Sequence, residues 1–362
     1  MNVQQLSPLL DTPGIDLGRA LEGIGSHAGE LDRNPRFPRE SFDLLRGAGI
    51  LQRAGVRQRC ELGWEIAVVR SVAAADASSA RILDGHFNGA ERLALCAPEE
   101  LRSRELDGVA RGELLIGVWG ADPGPGEGPP ARIEQSARGG LMLRGVKTFC
   151  SGAGGVQRAL VVARDEAGAR RVAYVDVTDG TWVDRSWYVA SGLRSSESHR
   201  VEFRDAPVLA LLGGEDELLR EPWLARDSVR SAAIWAGLAD CILRETVSTL
   251  GETEDQIRLH AVGGMRVAQG TIDRWLEHSA RSLEDTQDGA AARALAGECR
   301  VALAGAARLI AAEAVRVCGS RALVGAGTLD RARRDLDLFL LQHRLDPKLV
   351  EIGACVLEAE SL

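Results

Sequence analysis

Apolar residues recur at helical spacing through the first third of the chain. They then give way to short Val-, Leu- and aromatic-rich runs, and return to helical spacing after Pro222. Between Glu61 and Ala77, Leu62, Ile66, Val69 and Ala73 fall three or four apart, which predicts one buried face of an α-helix. The run Ser41-Phe42-Asp43-Leu44-Leu45-Arg46 predicts another helix, stopped at Gly47-Ala48-Gly49, where glycine can take the left-handed conformation that closes a helix. Ala97-Pro98-Glu99-Glu100 predicts a helix start: proline loses nothing in a first turn, and acidic side chains suit the positive end of the dipole. Residues 1–112 thus predict an N-terminal α-helical domain.

From residue 113 the period changes. Leu114–Trp119, Gly140–Cys150, Arg158–Ala163, Arg171–Val177 and Arg200–Phe203 read as strands, separated by Gly, Asp and Pro clusters. Asp122–Pro130 holds four of the chain's twelve prolines interleaved with glycines and predicts a loop. Residues 113–221 therefore form the expected central β domain. Beyond it, Ala-, Leu- and Arg-rich stretches at 223–250, 254–283, 289–318 and 329–345 predict a C-terminal four-helix bundle over 222–362, with Gly251 and Gly319 as stops. There is no internal repeat.

Composition narrows the partners. At 362 residues the chain can build two or three structural units. A net charge of −8 gives no footprint for nucleic acid or an anionic membrane. No apolar run approaches the ~20 residues a membrane helix needs. The first residues lack a basic segment followed by an apolar one, so no secretory signal is expected and a cytoplasmic location is. The seven cysteines are scattered without zinc or redox spacing, and predict reduced, buried thiols and no metal. Seven of the fifteen aromatics are Trp, expected as core anchors.

Candidate chemistry sits in the middle of the chain. There is no GxGxxG after a strand and no GxxxxGK[ST]. Gly124-Pro125-Gly126-Glu127-Gly128 makes a poor phosphate cradle, since its prolines remove donors and Glu127 repels an anion. It reads as a loop beside a site or as a surface turn. Phe149-Cys150-Ser151 ends a strand with an aromatic plane and a hydroxyl, and a period of two puts Phe149 and Ser151 on one face. The alternative is an edge-strand aromatic with a polar terminator.

Three segments in this order carry a resemblance: Val118-Trp119-Gly120-Ala121-Asp122-Pro123-Gly124-Pro125-Gly126, Gly145–Gly152, and Gly192-Leu193-Arg194-Ser195-Ser196 running through Phe203 to Pro207-Val208. Together they resemble the acyl-CoA dehydrogenase superfamily of flavoproteins, over about residues 35–362. The resemblance implies an α+β fold with an N-terminal helical domain, a central antiparallel β domain and a C-terminal four-helix bundle. It implies FAD as cofactor, with FMN or reduced flavin as alternatives, and a homo-oligomer, dimer or tetramer, whose cofactor site lies between subunits. Val118, Trp119, Gly120 and Ala121 would line the isoalloxazine, with Ala121 replacing a hydroxyl residue and Glu127 a serine. Phe149, Cys150 and Ser151 would take the place of the family's Trp-Ile-Thr flavin contact. Gly319 and Ser320 fall on the family's glycine turn that approaches a neighbouring subunit's cofactor.

The same resemblance marks departures. Arg334-Asp335 matches a family Arg-Asp, and eight residues beyond Asp335, where many members place a catalytic Glu, this chain has His343. A second family arrangement places the base ten residues before a helical glycine; with Gly237 as that glycine, it falls on Asp227. A buried carboxylate suits removal of an α-proton while a hydride passes to flavin N5. An imidazole titrating near ~6.5 could also act. Where the family has Arg-x-x-Phe-Gly to clamp the cofactor's pyrophosphate, residues 250–255 are acidic. The implied function is oxidation of an acyl thioester with hydride transfer to flavin and onward passage to an electron acceptor. One alternative is a two-component monooxygenase fed reduced flavin by a reductase. Another is an inactive member acting as an assembly partner.

Overall fold

The computed structural model describes residues 16–55, 61–136, 139–324, 327–342 and 344–359. Among these, six helices precede a seven-stranded sheet and five follow it. The first six are α1 (Leu17–Arg33), α2 (Arg39–Gly47), α3 (Ile50–Arg53), α4 (Leu62–Ala75), α5 (Ala77–Cys96) and α6 (Glu99–Ala110). Helix α1 is amphipathic and buries Leu17, Ala20, Ile24, Ala28 and Leu31 at helical spacing. Helix α4 is buried almost all round, because it lies under the C-terminal bundle. The break between α4 and α5 is made by Asp76, whose carboxylate accepts the Ser79 N–H at 2.8 Å and caps α5.

The strands are β1 (Ile116–Trp119), β2 (Arg132–Gln135), β3 (Leu141–Cys150), β4 (Arg158–Arg164), β5 (Arg170–Asp176), β6 (Thr181–Asp184) and β7 (His199–Leu212). Their order is β1-β4-β2-β3-β7-β5, with β6 on β7, and β4 also pairs β5, so β4-β2-β3-β7-β5 closes on itself. Most pairs are antiparallel, as expected, but β1 runs parallel to β4 through four residue pairs and β2 meets β4 in parallel at Arg132 and Arg164. The sheet is therefore mixed rather than purely antiparallel. The parallel pair arises because β1 reaches β4 only after the 120–130 loop and the β2–β3 hairpin have reversed the chain.

The bundle comprises α7 (Trp223–Leu250), α8 (Gln256–Glu284), α9 (Gly289–Cys318) and α10 (Thr328–Leu341), with α11 (Asp346–Ala359) packed on α9. Gly251 and Gly319, at φ 59° and 68°, end α7 and α9 as their sequence positions require. The carboxylates of Asp255 and Asp288 cap α8 and α9. The predicted stretch 329–345 is one helix that stops at Leu341, and Asp346-Pro347 starts α11 afresh. Helix α7 is the axis of the bundle, packing on α4, α8, α9 and α10.

Candidate active site

Two expected motifs meet where β1 and β3 end. The Thr148 N–H donates to the Ala121 carbonyl at 3.1 Å, and the Trp119 indole N–H donates to the Ser151 carbonyl at 3.0 Å. Lys147, buried in β3, donates from Nζ to the Gly120 carbonyl (3.2 Å) and to Asp122 Oδ1 (2.6 Å). Desolvation depresses its ammonium pKa, and Asp122 opposes the fall. The ends of both strands are thereby fixed side by side, leaving Gly120 and Ala121 exposed and Val118 half-buried.

Within this junction the side chains divide. Trp119 is 1% exposed and packs 6.2 Å from Phe203, so it is a core anchor and not an open ring contact. Cys150 also faces the core, and burial pushes its thiol pKa up. Phe149 points outward, 47% exposed, with φ of 52°. A non-glycine residue held there carries about 1–3 kcal/mol of strain that the surroundings must sustain. The irregular register between Lys147 and Cys150 breaks the alternation that would have placed Phe149 and Ser151 on one face. Ser151 turns inward instead, its Oγ 2.9 Å from Ser198 Oγ, which lies 2.8 Å from Ser196 Oγ.

Trp187 stands edge-on to Phe149 with ring centroids 5.0 Å apart. Its indole N–H donates to Glu127 Oε1 at 2.8 Å, and the other carboxylate oxygen accepts the Gly124 N–H at 2.6 Å. These two hydrogen bonds, Gly124 first, hold the Glu127 carboxyl below its ordinary range. The Gly/Pro loop is thus pinned by its own carboxylate. Trp187, Glu127 and the Ser196–Ser198 pair were not legible as partners of Phe149: they lie 22 to 49 residues away from it, in segments without periodicity.

Helix α10 reaches this region through Asp335, whose Oδ1 accepts the Leu193 N–H at 2.6 Å and holds the 192–198 turn. Burial lifts the Asp335 carboxyl to about 7. In the unfolded chain it ionises near ~3.9, so across roughly pH 4 to 7 the folded state binds the extra proton. Stability therefore falls as pH rises through that window and levels off above it. Asp335→Asn keeps an oxygen for Leu193. Its unfolding free energy, measured in urea, is expected to show a shallower decline from pH 4 to 7 than the parent chain; identical slopes would discard the assignment.

Asp227 is not at the sheet edge. It lies in the seam of α5 and α7, with Oδ2 at 2.6 Å from Arg92 Nη2 and Oδ1 at 3.2 Å from Arg230 Nη1. Burial lifts its carboxyl to about 6, and the two guanidiniums restrain the rise. Arg230 also bonds Glu65 and Glu91, each at 2.7 Å, and Arg226 bonds Glu91 at 3.2 Å. This interior holds ion pairs where an apolar acyl chain would need hydrocarbon walls. Gly319 and Ser320 are exposed just past the end of α9, where the turn Ser320–Leu323 packs on α9 and α10. His343 lies outside the described residues. Among the described residues no cluster could hold a metal ion, and no helix is long and apolar enough to cross a membrane.

The whole arrangement matches solved structures over nearly all of its length. KijD3 in complex with FMN and a dTDP-amino-keto sugar superposes with a TM-score of 0.85 at 20% identity, covering 99% of this chain and 94% of that one. Butyryl-CoA dehydrogenase from Megasphaera elsdenii gives 0.81 at 17% identity, over 99% and 98%. The chain has the acyl-CoA dehydrogenase fold. TdsC from Paenibacillus sp. A11-2, a dibenzothiophene monooxygenase solved with FMN and indole, shares that fold at 0.81 and 18% identity, over 95% and 96%. No family model matches the sequence, and no curated protein matches it. Within this fold, Phe149, Gly120, Ala121 and Ser151 occupy the ends of adjoining strands, and Asp335 ties the bundle to the same corner.

Proposed function

We propose that this chain is a flavin-dependent monooxygenase that takes up reduced flavin and uses dioxygen. The observation that carries the reading is the double pairing of Asp227 with Arg92 and Arg230. A carboxylate held at both oxygens cannot swing to a substrate's α-carbon, and misplacement by about 1 Å already costs heavily in such proton transfers. A dehydrogenase that relied on Asp227 would lose its base and keep only His343; an oxygenase needs no such base, only a dry, shaped pocket. KijD3 and TdsC, both solved with FMN, support the same choice.

The residues present fit a planar cofactor. The exposed, conformationally strained Phe149 ring offers an apolar face, and Gly120 and Ala121, their carbonyls already held by Lys147 and Thr148, lie exposed beside it. When bound, the reduced flavin supplies the two electrons that let one oxygen atom enter the substrate and the other leave as water. The chain's own residues do the remainder. Phe149 and Trp187 position the ring and exclude water. The mutually hydrogen-bonded Ser151, Ser198 and Ser196 hydroxyls back this corner from the inside and would order a hydrogen-bonded proton there. His343, in the position where many members of the family carry the base, is proposed to present its imidazole to the substrate. Glu127 already occupies the Gly124 N–H, and residues 250–255 are acidic, so the loop favours a flavin with one phosphate, FMN, over FAD. A homo-oligomer would bring Gly319 and Ser320 to a neighbour's site.

Anaerobic titration separates the readings. Reduced FMN is expected to bind more tightly than oxidised FMN or FAD, and oxygen uptake with a supplied reductase should depend on the protein. Bleaching of bound flavin by an acyl-CoA without oxygen would establish a dehydrogenase instead. Binding of neither redox state would leave only an assembly role. Phe149→Ala is expected to weaken reduced-FMN binding about tenfold, followed by quenching of Trp187. An unchanged affinity would remove Phe149 from the site.

A further inference from the structure

Helix α5 presents two stripes at helical spacing. Ile82, Gly85 and Gly89 face the sheet, and Arg81, Asp84 and Asn88 face α7. The sheet-facing stripe is packed at both ends and open in the middle. A Cβ on Gly89 would lie 2.3 Å from Ile116 Cγ2, and one on Gly152 would meet Ile82 Cγ2 at 3.2 Å. Gly85 is buried too. Yet beyond its own helix and chain neighbours a Cβ there would have a single heavy atom within 4 Å, the Val118 nitrogen at 3.9 Å. Unfilled space therefore lies between α5 and the end of β1, at the corner that carries Gly120 and Phe149.

Asp84 precedes Gly85 and is completely buried. Both of its donors use one oxygen: Arg81 Nη1 at 2.9 Å and Ser231 Oγ at 2.6 Å, each to Oδ2. The other oxygen, Oδ1, is buried and accepts no hydrogen bond among the described residues. Charge is not what it lacks, because Arg81 pairs the carboxylate and Arg230 adds to the same field. It lacks a donor, and a buried acceptor without one is costly. Rings stand around it. The Arg81 guanidinium lies 5.9 Å from the Phe339 ring centroid, and its charge acts on Tyr188, next to Trp187.

We infer that the substrate is an uncharged ring compound carrying an O–H or N–H, which donates to Asp84 Oδ1 while the ring fills the space beside Gly85. A cation is not called for, since Arg81 already matches the carboxylate, and an anion would meet Asp84 directly. A bare hydrocarbon would leave Oδ1 without a hydrogen. Sites built on a buried hydrogen-bonding group reject analogues that lack the partner far more strongly than sites built on shape alone. Calling the ligand a substrate rests on the flavin reading of this corner; its binding does not.

The test uses the flavin-free full chain, with phenol and 1-naphthol as probes and their methyl ethers, anisole and 1-methoxynaphthalene, as matched controls, read by calorimetry. Each hydroxyl compound is expected to bind about tenfold tighter than its ether. Asp84→Asn should erase or invert that preference. Arg81 and Ser231 keep the amide oxygen on their side, so the amide nitrogen takes the place of Oδ1 and a donor replaces an acceptor. Naphthol then weakens while its ether holds or gains, a pattern that general loosening of the fold does not produce. Equal affinities in the parent chain would show that water alone completes Oδ1, and would overturn the proposal. So would tighter binding of the ethers, which needs a proton on Oδ1, an Asp84→Asn variant with the parent's preference, or no binding of any probe. Should Asp84→Asn fail to fold, the parent-chain comparison still decides. Gly85→Leu then fills the space with the carboxylate intact and must abolish naphthol binding; retained binding overturns the proposal equally. Reduced FMN is titrated separately. A hydroxyl preference without flavin binding strikes the flavin reading and leaves the site, and flavin binding without the preference strikes this inference alone.

Discussion

Arg230→Met is expected to lower the unfolding free energy by about 3–5 kcal/mol, enough to leave the variant largely unfolded under conditions where the parent is native. The guanidinium is completely buried and bonds Glu65 from α4, Glu91 and Asn88 from α5, and Asp227 one turn back on α7. Methionine fills a similar volume, so a cavity is not the cause. The cost comes from three carboxylates left in the interior with one cation fewer. Urea midpoints at pH 7 read the effect. Adding Glu65→Gln and Glu91→Gln to Arg230→Met removes the stranded charges and should recover a large part of the loss, because a buried pair replaced on both sides is far less costly than a pair broken on one. Arg281→Met, whose side chain is 71% exposed on α8, should change stability by less than about 0.5 kcal/mol. If Arg230→Met and Arg281→Met behaved alike, the seam would be hydrated and the immobility of Asp227 would go with it.

The long elements were legible because each buries a face with a regular period. Helices α7, α8 and α9 match the predicted stretches to within two residues at each end, since alanine and leucine at helical spacing, capping aspartates and terminal glycines agree. What escaped was short or irregular. Strands β2 and β6 have four residues each, two charged in the first and one in the second, and are defined mainly by their pairing with β3 and β7. Strand β7 runs nine residues past Phe203, because Asp205 takes a positive φ and lets the strand pass Pro207. At the site, the meeting of 118–121 with 149–151 was visible as a resemblance. Three features were not, because each is settled by tertiary contact: the burial of Trp119 and Cys150, the outward turn of Phe149, and the capture of Asp227 by two arginines. A period-two rule fails at a bulge. A carboxylate looks available in sequence until its neighbours on another helix are known.

Gly237→Ala should cost about 3 kcal/mol, a large loss for one methyl group on a helix. A Cβ there would lie 2.2 Å from the Arg70 carbonyl oxygen, 2.9 Å from the Ala74 nitrogen and 2.7 Å from Ala73 Cβ. Two of those atoms are backbone, so α7 must move off α4. That displacement breaks more than packing. Arg230–Glu65 lies two turns before Gly237 and Arg70–Asp240 one turn after, both closed at 2.6–2.7 Å across the same two helices. A shift of even 1 Å opens both charge networks in an interior where no water replaces them. The contrast is Gly305→Ala on α9, where a Cβ meets nothing within 4 Å; there helix propensity alone should stabilise by about 0.5–1 kcal/mol. Opposite signs for the same chemical change, read as thermal midpoints, would show that α4 and α7 are held in one register. Equal and small effects would show slack in the seam. Slack would free Asp227 to reach a substrate, and the case for an oxygenase over a dehydrogenase would lose its main support.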